Sequence, residues 1–349
     1  MRFLFILLFL GCFDPPVAPK IEGCTDAIAC NYDSSANLDD NSCAYEVSEC
    51  GTCVSMNYYD YYLSLDIQIP EEYNSDLEDI SVLTDDNDTF ELTKNQPLSE
   101  SNASALTDAF IFKEATIQVA NSFILLSAPH AQRAYRDNEE EHDSEFFTGS
   151  IAFYMHELLG IPILCSKYKS DDPNYYHLIP DNTQTPLFIN NIGDFIPFKD
   201  KMKDYILEDT NNISLVIDLH GFDQDNRSDF DIMLGTMGND ENESPSLQSE
   251  LGCYIPDIIE AIFEKHEILN ITENHPNYTA GISKTITKFV IDEVSMDSNN
   301  ILDALQMEVE KKYRGATDNN HLNFINALAE IIYVLNYLYT DLNIYSQPI

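Results

Sequence analysis

Ser214-Leu-Val-Ile-Asp-Leu-His-Gly221 decides the fold. Its aliphatic run is short, partly β-branched and followed by a glycine, which is the pattern of a strand buried on both faces. It closes on Asp218, His220 and Gly221. Two other segments close in the same way: Ser122-Phe-Ile-Leu-Leu-Ser127 runs on through Ala-Pro-His130-Ala-Gln-Arg133, and Asp303-Ala-Leu-Gln-Met ends in Glu308. Ligand sites in α/β proteins assemble at the carboxyl ends of strands, so two histidines and a glutamate delivered there predict one zinc hydrolase site.

Working outward, Ile161-Pro-Ile-Leu-Cys165 and Phe230-Asp-Ile-Met-Leu234 read as further strands. Residues 147–159, 199–209, 247–267 and 319–341 carry apolar side chains at the three-and-four spacing of helices. The alternation predicts an α/β domain with a mixed, mostly parallel sheet and helices on both faces. No glycine-rich phosphate loop is present, so no nucleotide cofactor is expected.

The 349 residues include 60 acidic and 18 basic ones, a net charge of −42, and 44% hydrophobic content suits a large folded domain plus a small one. Such a field repels nucleic acid and anionic membrane surfaces, which need clustered Lys and Arg. Arginine occurs only at positions 2, 133, 136, 227 and 314, and four of these lie near the three segments above. Its planar fork grips carboxylates, so an anionic group on the bound partner is expected there.

At the front, one positive charge precedes the unbroken apolar run Phe3–Gly11, too short to span a bilayer and of signal-peptide type. Leu10-Gly-Cys12 resembles a bacterial lipoprotein signal, which implies lipidation of Cys12 and an exported, membrane-anchored protein; plain cleavage gives a periplasmic or extracellular one. Cysteines 24, 30, 43, 50 and 53 then crowd a stretch too short for its own core, as in disulfide-stapled modules. Residues 23–43 resemble the short Asp/Asn-rich module of surface proteins of marine bacteria. Its side-chain oxygens suit Ca²⁺, with solvated turns the equal alternative. Cys165 and Cys253 either pair or stay buried thiols. The expected organisation is a signal peptide over 1–12, a Cys/Asp-rich module over 13–56, an acidic linker with short strands over 57–109, and a hydrolase domain over 110–349.

Pro129-His130, Glu145 before Thr148-Gly149, Asp172-Pro-Asn174-Tyr175, Asp218-Leu-His-Gly221, Leu234-Gly-Thr236 and Leu305-Gln-Met-Glu308 with Tyr313-Arg314 occur in this order. The ordered combination, over roughly residues 120–340, resembles the N-formylglutamate amidohydrolase-like family of the zinc carboxypeptidase-like superfamily. The resemblance implies a zinc exopeptidase-like fold and an amidohydrolase that cleaves an amide beside a carboxylate. It implies Zn²⁺ held by His130, Glu145 and His220, with Glu308 as general base and Arg136 assisting catalysis. Asn174, Arg314 and Thr148 would contact the substrate. Two departures stand out: Arg133 occupies the place, three residues after the first histidine, where carboxypeptidases put the ligating glutamate, and Tyr175 follows Asn174 where a second clamp arginine is usual. Among the acids of 139–145, Glu145 is the expected ligand. Ser127 and Thr148 lack a Gly-x-Ser-x-Gly elbow, so a serine hydrolase is not expected.

Overall fold

The computed structural model describes residues 19–47, 53–54, 56–65, 110–116, 122–131, 134–135, 145, 147–166, 170–171, 198–208, 211–223, 230–239, 243–281, 285–298, 301–314 and 319–345. The chain divides into two compact units, Met1–Met56 and Asn57–Ile349.

The smaller unit is turn-rich, with two-residue ladders pairing Glu22–Gly23 with Leu38–Asp39 and Glu46–Val47 with Cys53–Val54. Cys24 and Cys43 form a disulfide. Its carboxylates are spent locally: Asp26, Asp33, Asp39 and Asp40 each accept from the backbone N–H two residues on, at 2.7–3.1 Å. These are Asx turns, which fix loops without a cation. The calcium expectation therefore finds no support, since no metal-competent cluster forms in this unit among the described residues.

In the larger unit, the strands are β1 (Phe110–Lys113), β2 (Ile124–Ala128), β3 (Ile163–Ser166), β4 (Leu215–Phe222), β5 (Ile232–Gly235), β6 (Ile271–Glu273) and β7 (Asp303–Glu310). They form one sheet in the order β6-β5-β7-β4-β2-β3-β1. The centre β7-β4-β2-β3 is parallel, β5 and β1 join it antiparallel, and β6 runs parallel to β5. The expected mixed, mostly parallel α/β sheet is present.

The main helices are α1 (Tyr58–Ser64), α2 (Thr148–Leu159), α3 (Phe198–Leu207), α4 (Ile255–Lys265) and α5 (Asn319–Tyr345). Helix α4 begins later than the apolar spacing of 247–267 predicts, because the preceding turns are claimed by a buried acid. Asp303 accepts from the N–H groups of Gln248 and Ser249 and from the Ser249 and Tyr339 hydroxyls. Pro256 then opens α4 at its first turn, where its missing N–H costs nothing. Cys165 is a buried free thiol, so it does not pair with Cys253.

Strand side chains alternate between faces with a period of two. On one face Leu125, Leu164, Val216 and Ala304 pack against α3 and the segment Ile286–Val294, forming a continuous apolar core. Two residues further along three of these strands, that same face changes character: Leu125 is followed by Ser127, Val216 by Asp218, and Ala304 by Gln306. The next step brings His220 and Glu308. The sheet thus carries its core and its polar site on one surface, divided by a single dipeptide step.

Candidate metal centre

His220 on β4 and Glu308 on β7 are register partners in the parallel ladder, so their side chains emerge side by side. His130 reaches them from the turn immediately after β2. Glu145 is fixed from both ends: its N–H donates to the His130 carbonyl at 2.9 Å, and its own carbonyl accepts the Thr148 hydroxyl at 2.9 Å where α2 begins. All four of these site residues are at most 8% exposed.

The geometry converges on one point. His130 Nδ1 lies 2.9 Å from Glu145 Oε1, and His220 Nδ1 lies 3.3 Å from the same oxygen and 3.2 Å from Oε2. The two imidazoles meet edge to face with ring centres 4.7 Å apart. Among the described residues this is the one group of three whose ligand atoms all lie within 4.8 Å. Zinc bonds of ~2.0–2.1 Å in a tetrahedron put neighbouring ligand atoms about 3.3 Å apart. Two imidazole nitrogens and a carboxylate at these spacings fit zinc, with a fourth position left for water or substrate.

Two residues whose roles the sequence reading did not assign support this set. Asp218 Oδ2 accepts from His220 Nε2 at 2.9 Å, which leaves Nδ1 as the free electron pair facing Glu145. Ser127 Oγ donates to the other Asp218 oxygen at 2.5 Å. The strand period was the available signal, because Asp218 stands two residues before His220 and must share its face. This wiring also disposes of a serine nucleophile: the Ser127 hydroxyl is bonded to the acid, not to the imidazole that would have to deprotonate it. Asp218→Asn is expected to weaken zinc binding about 10–100-fold while the protein still folds, as outer-shell partners of metal histidines typically do. Competition with a chromophoric chelator measures this; an affinity within twofold of wild type would remove Asp218 from the site.

Charge balance explains why this cluster wants a cation. Burial pushes the Glu145 carboxyl up, but His220 and His130 outweigh it and hold the group well below its ordinary value. Burial likewise lowers His220, yet the Glu145 and Asp218 carboxylates raise it well above its ordinary value. Without a metal the imidazole therefore carries a proton, which a bound metal replaces. Glu308 is pushed up to about 7, chiefly by burial and with the nearby Glu145 charge adding to it, although His220 and Gln306 pull the other way. A carboxyl poised near neutrality can take and return a proton.

Gly221 and Arg314 form the backing. The Gly221 N–H donates to Glu145 Oε2 at 3.0 Å. The group that approaches the backbone at this glycine is the Arg314 guanidinium, whose carbon would lie 2.2 Å from a Cβ at this position. Arg314 Nε donates to the Val309 carbonyl at 3.0 Å and Nη2 to that of Phe222 at 3.1 Å. The donors of Arg314 placed here tie the ends of β4 and β7 together, and the Thr148 hydroxyl holds the Glu145 loop. Arg136, Asn174, Cys12 and the acidic residues 139–143 lie outside the described residues.

No protein-family model and no curated protein sequence matches the chain. Among solved structures it is similar to a bacteriophage poly-gamma-glutamate hydrolase at 13% identity, over 66% of this chain and 91% of that one, with a TM-score of 0.37. A gene product of Agrobacterium tumefaciens is 13% identical over 68% of this chain and 98% of its own, with a TM-score of 0.44. The CwlD amidase from Clostridioides difficile, solved in complex with the GerS lipoprotein, is 14% identical over 63% of this chain and all 100% of its own, with a TM-score of 0.32.

Proposed function

We propose that the larger unit is a zinc-dependent hydrolase of amide bonds. The observation that carries this is the convergence of His130 Nδ1 and His220 Nδ1 on the Glu145 carboxylate, at 2.9 and 3.2 Å, with Glu308 emerging beside His220. Zinc bound there supplies Lewis acidity, making water a nucleophile near neutral pH and polarising the scissile carbonyl. Glu308 accepts the proton of the attacking water and delivers it to the departing nitrogen, so that the amine leaves neutral. Asp218 and Gly221 hold His220 and Glu145 in place, which keeps the site preorganised.

The substrate class we infer is an amide beside a carboxylate, such as an N-acyl amino acid, a γ-glutamyl peptide or a cell-wall fragment. Arg136 and Asn174 are the groups proposed to recognise its anionic end, with Arg136 also assisting the oxyanion. The ordered motifs around His130, Asp218-Leu-His-Gly221 and Leu305-Gln-Met-Glu308 support the amidohydrolase assignment. The apolar run before Cys12 supports an exported protein, anchored to a membrane only through a lipid on that cysteine.

Elemental analysis after exhaustive dialysis tests the central claim. Wild-type protein is expected to retain about one zinc per chain and His130→Ala to retain none, because removing one of three protein ligands breaks the coordination set. A folded wild-type protein that takes up no zinc even after reloading would leave a binding module on the same fold.

A further inference from the structure

Gln306 stands two residues before Glu308 on β7 and therefore on the same face, opposite Asp218 of β4 and Gly235 of β5. Its side chain is buried, and its Nε2 donates to Glu308 Oε1 at 2.7 Å. The other end of the amide is left bare: Gln306 Oε1 is buried and accepts no hydrogen bond from the described residues. A buried acceptor without a partner costs about 1–3 kcal/mol, and a leucine or methionine of similar volume would fill the position without that cost. Packing therefore does not account for the glutamine. Nor can the amide turn over to satisfy its carbonyl while Glu308 is ionised, since that would set two acceptor oxygens against each other. The side chain's orientation is dictated by the carboxyl it serves.

We propose that Gln306 is a positioning residue for the general base, fixing Glu308 Oε1 so that Oε2 is the oxygen that handles the proton. The catalytic part of this proposal rests on the zinc hydrolase reading; the hydrogen bond itself does not. In the first half of the cycle a water O–H bond breaks and an Oε2–H bond forms as the water oxygen bonds to the carbonyl carbon. In the second half the Oε2–H bond breaks, an N–H bond forms and the C–N bond opens, so one proton enters and one leaves. Without the amide, the terminal torsion of a glutamate is broad and two-fold. Either oxygen then swings toward the water, and the well-oriented arrangement becomes one of several. Losing such orientation costs rate while leaving substrate contacts alone.

The test uses the full chain as wild type, Gln306→Leu, Glu308→Gln and the double variant, loaded with zinc, with N-formyl-L-glutamate and γ-L-glutamyl-L-glutamate as probes. Gln306→Leu is expected to keep its zinc and its fold, to lower kcat about 10–100-fold with little change in KM, and to add nothing in the Glu308→Gln background. A second readout needs neither metal nor turnover. The carboxyl C=O stretch that Glu308→Gln abolishes from the infrared spectrum of the acid-form, metal-free protein should move to higher wavenumber in Gln306→Leu. An unmoved band, or an equal rate loss with and without Glu308, overturns the positioning role. A wild type that takes up no zinc instead overturns the hydrolase reading and with it the catalytic part of the proposal, while the infrared band still decides whether the amide holds the carboxyl.

Discussion

Glu308→Gln is expected to retain its zinc and lose about 10²–10⁴-fold in turnover, the contribution typical of a positioned general acid–base group. The zinc survives because the three proposed ligands are His130, His220 and Glu145, none of which depends on a charge at position 308 for its geometry. Turnover falls because an amide at 308 neither takes the proton of the attacking water nor gives one to the leaving nitrogen. Zinc content and kcat measured on one preparation separate the two effects. Activity close to wild type would sink the assignment of Glu308, whereas loss of zinc would move it into the coordination set.

The same substitution should stabilise the metal-free protein, in a pH-dependent way whose sign follows from linkage. Burial, the first cause, and the adjacent Glu145 charge raise the folded-state pKa of Glu308 from 4.5 to about 7. A carboxyl raised on folding favours the folded state at low pH, and that benefit is lost as pH climbs from the unfolded value through the folded one. Wild type should therefore weaken between about pH 4.5 and 7 relative to Glu308→Gln, with the gap on the order of 3 kcal/mol at pH 8. Urea unfolding of both metal-stripped proteins at pH 4 and pH 8 measures it; equal stabilities at pH 8 would show that Glu308 ionises without penalty. A carboxylate buried at this position for proposed acid–base work is thus expected to lower stability, the usual trade between activity and stability.

How much of this was legible beforehand depended on where polar residues fell. Strand β4 announced itself because Leu215, Val216, Ile217 and Leu219 form a run that only a doubly covered strand tolerates. The centre of the sheet and the ends of β2 and β4 followed from such runs, and with them the meeting of His130 and His220. Strand β7 was harder. Gln306, Glu308 and Glu310 alternate with Leu305, Met307 and Val309, which is the pattern of a strand with one wet face, yet all eight residues from Asp303 to Glu310 are buried. The polar face is inside because it lines the candidate metal centre. Edge strands β1 and β6, with four and three residues, were too short to carry a period. Glu145 was separable from its acidic neighbours only through its place ahead of Thr148-Gly149, where the turn into α2 begins. Asp218, Ser127 and Gln306 were visible in the sequence but had no assigned work, because their roles depend on which strands become neighbours.

Gly221→Ala should cost about 3–5 kcal/mol of stability and weaken zinc binding as well, a large effect for a single methyl group. The added Cβ would sit 2.2 Å from Arg314 Cζ and 2.5 Å from both Nε and Nη1. The far end of an arginine can usually move aside, but this one is 2% exposed and pinned by the Val309 and Phe222 carbonyls. Displacing it strands a buried charge and two carbonyls at the ends of β7 and β4, and breaking such a buried arrangement typically costs several kcal/mol. The zinc effect follows from the Gly221 N–H, which holds Glu145 Oε2; a backbone pushed away from Arg314 carries that donor with it. A double-mutant cycle isolates the cause. With Arg314→Ala already in place the space is open, so Gly221→Ala should then be neutral or stabilise by up to about 1 kcal/mol, because glycine is the less favourable residue inside a strand. Urea midpoints for the four proteins read the coupling directly. If the alanine is as costly without Arg314 as with it, close approach of the guanidinium is not what requires a glycine beside His220.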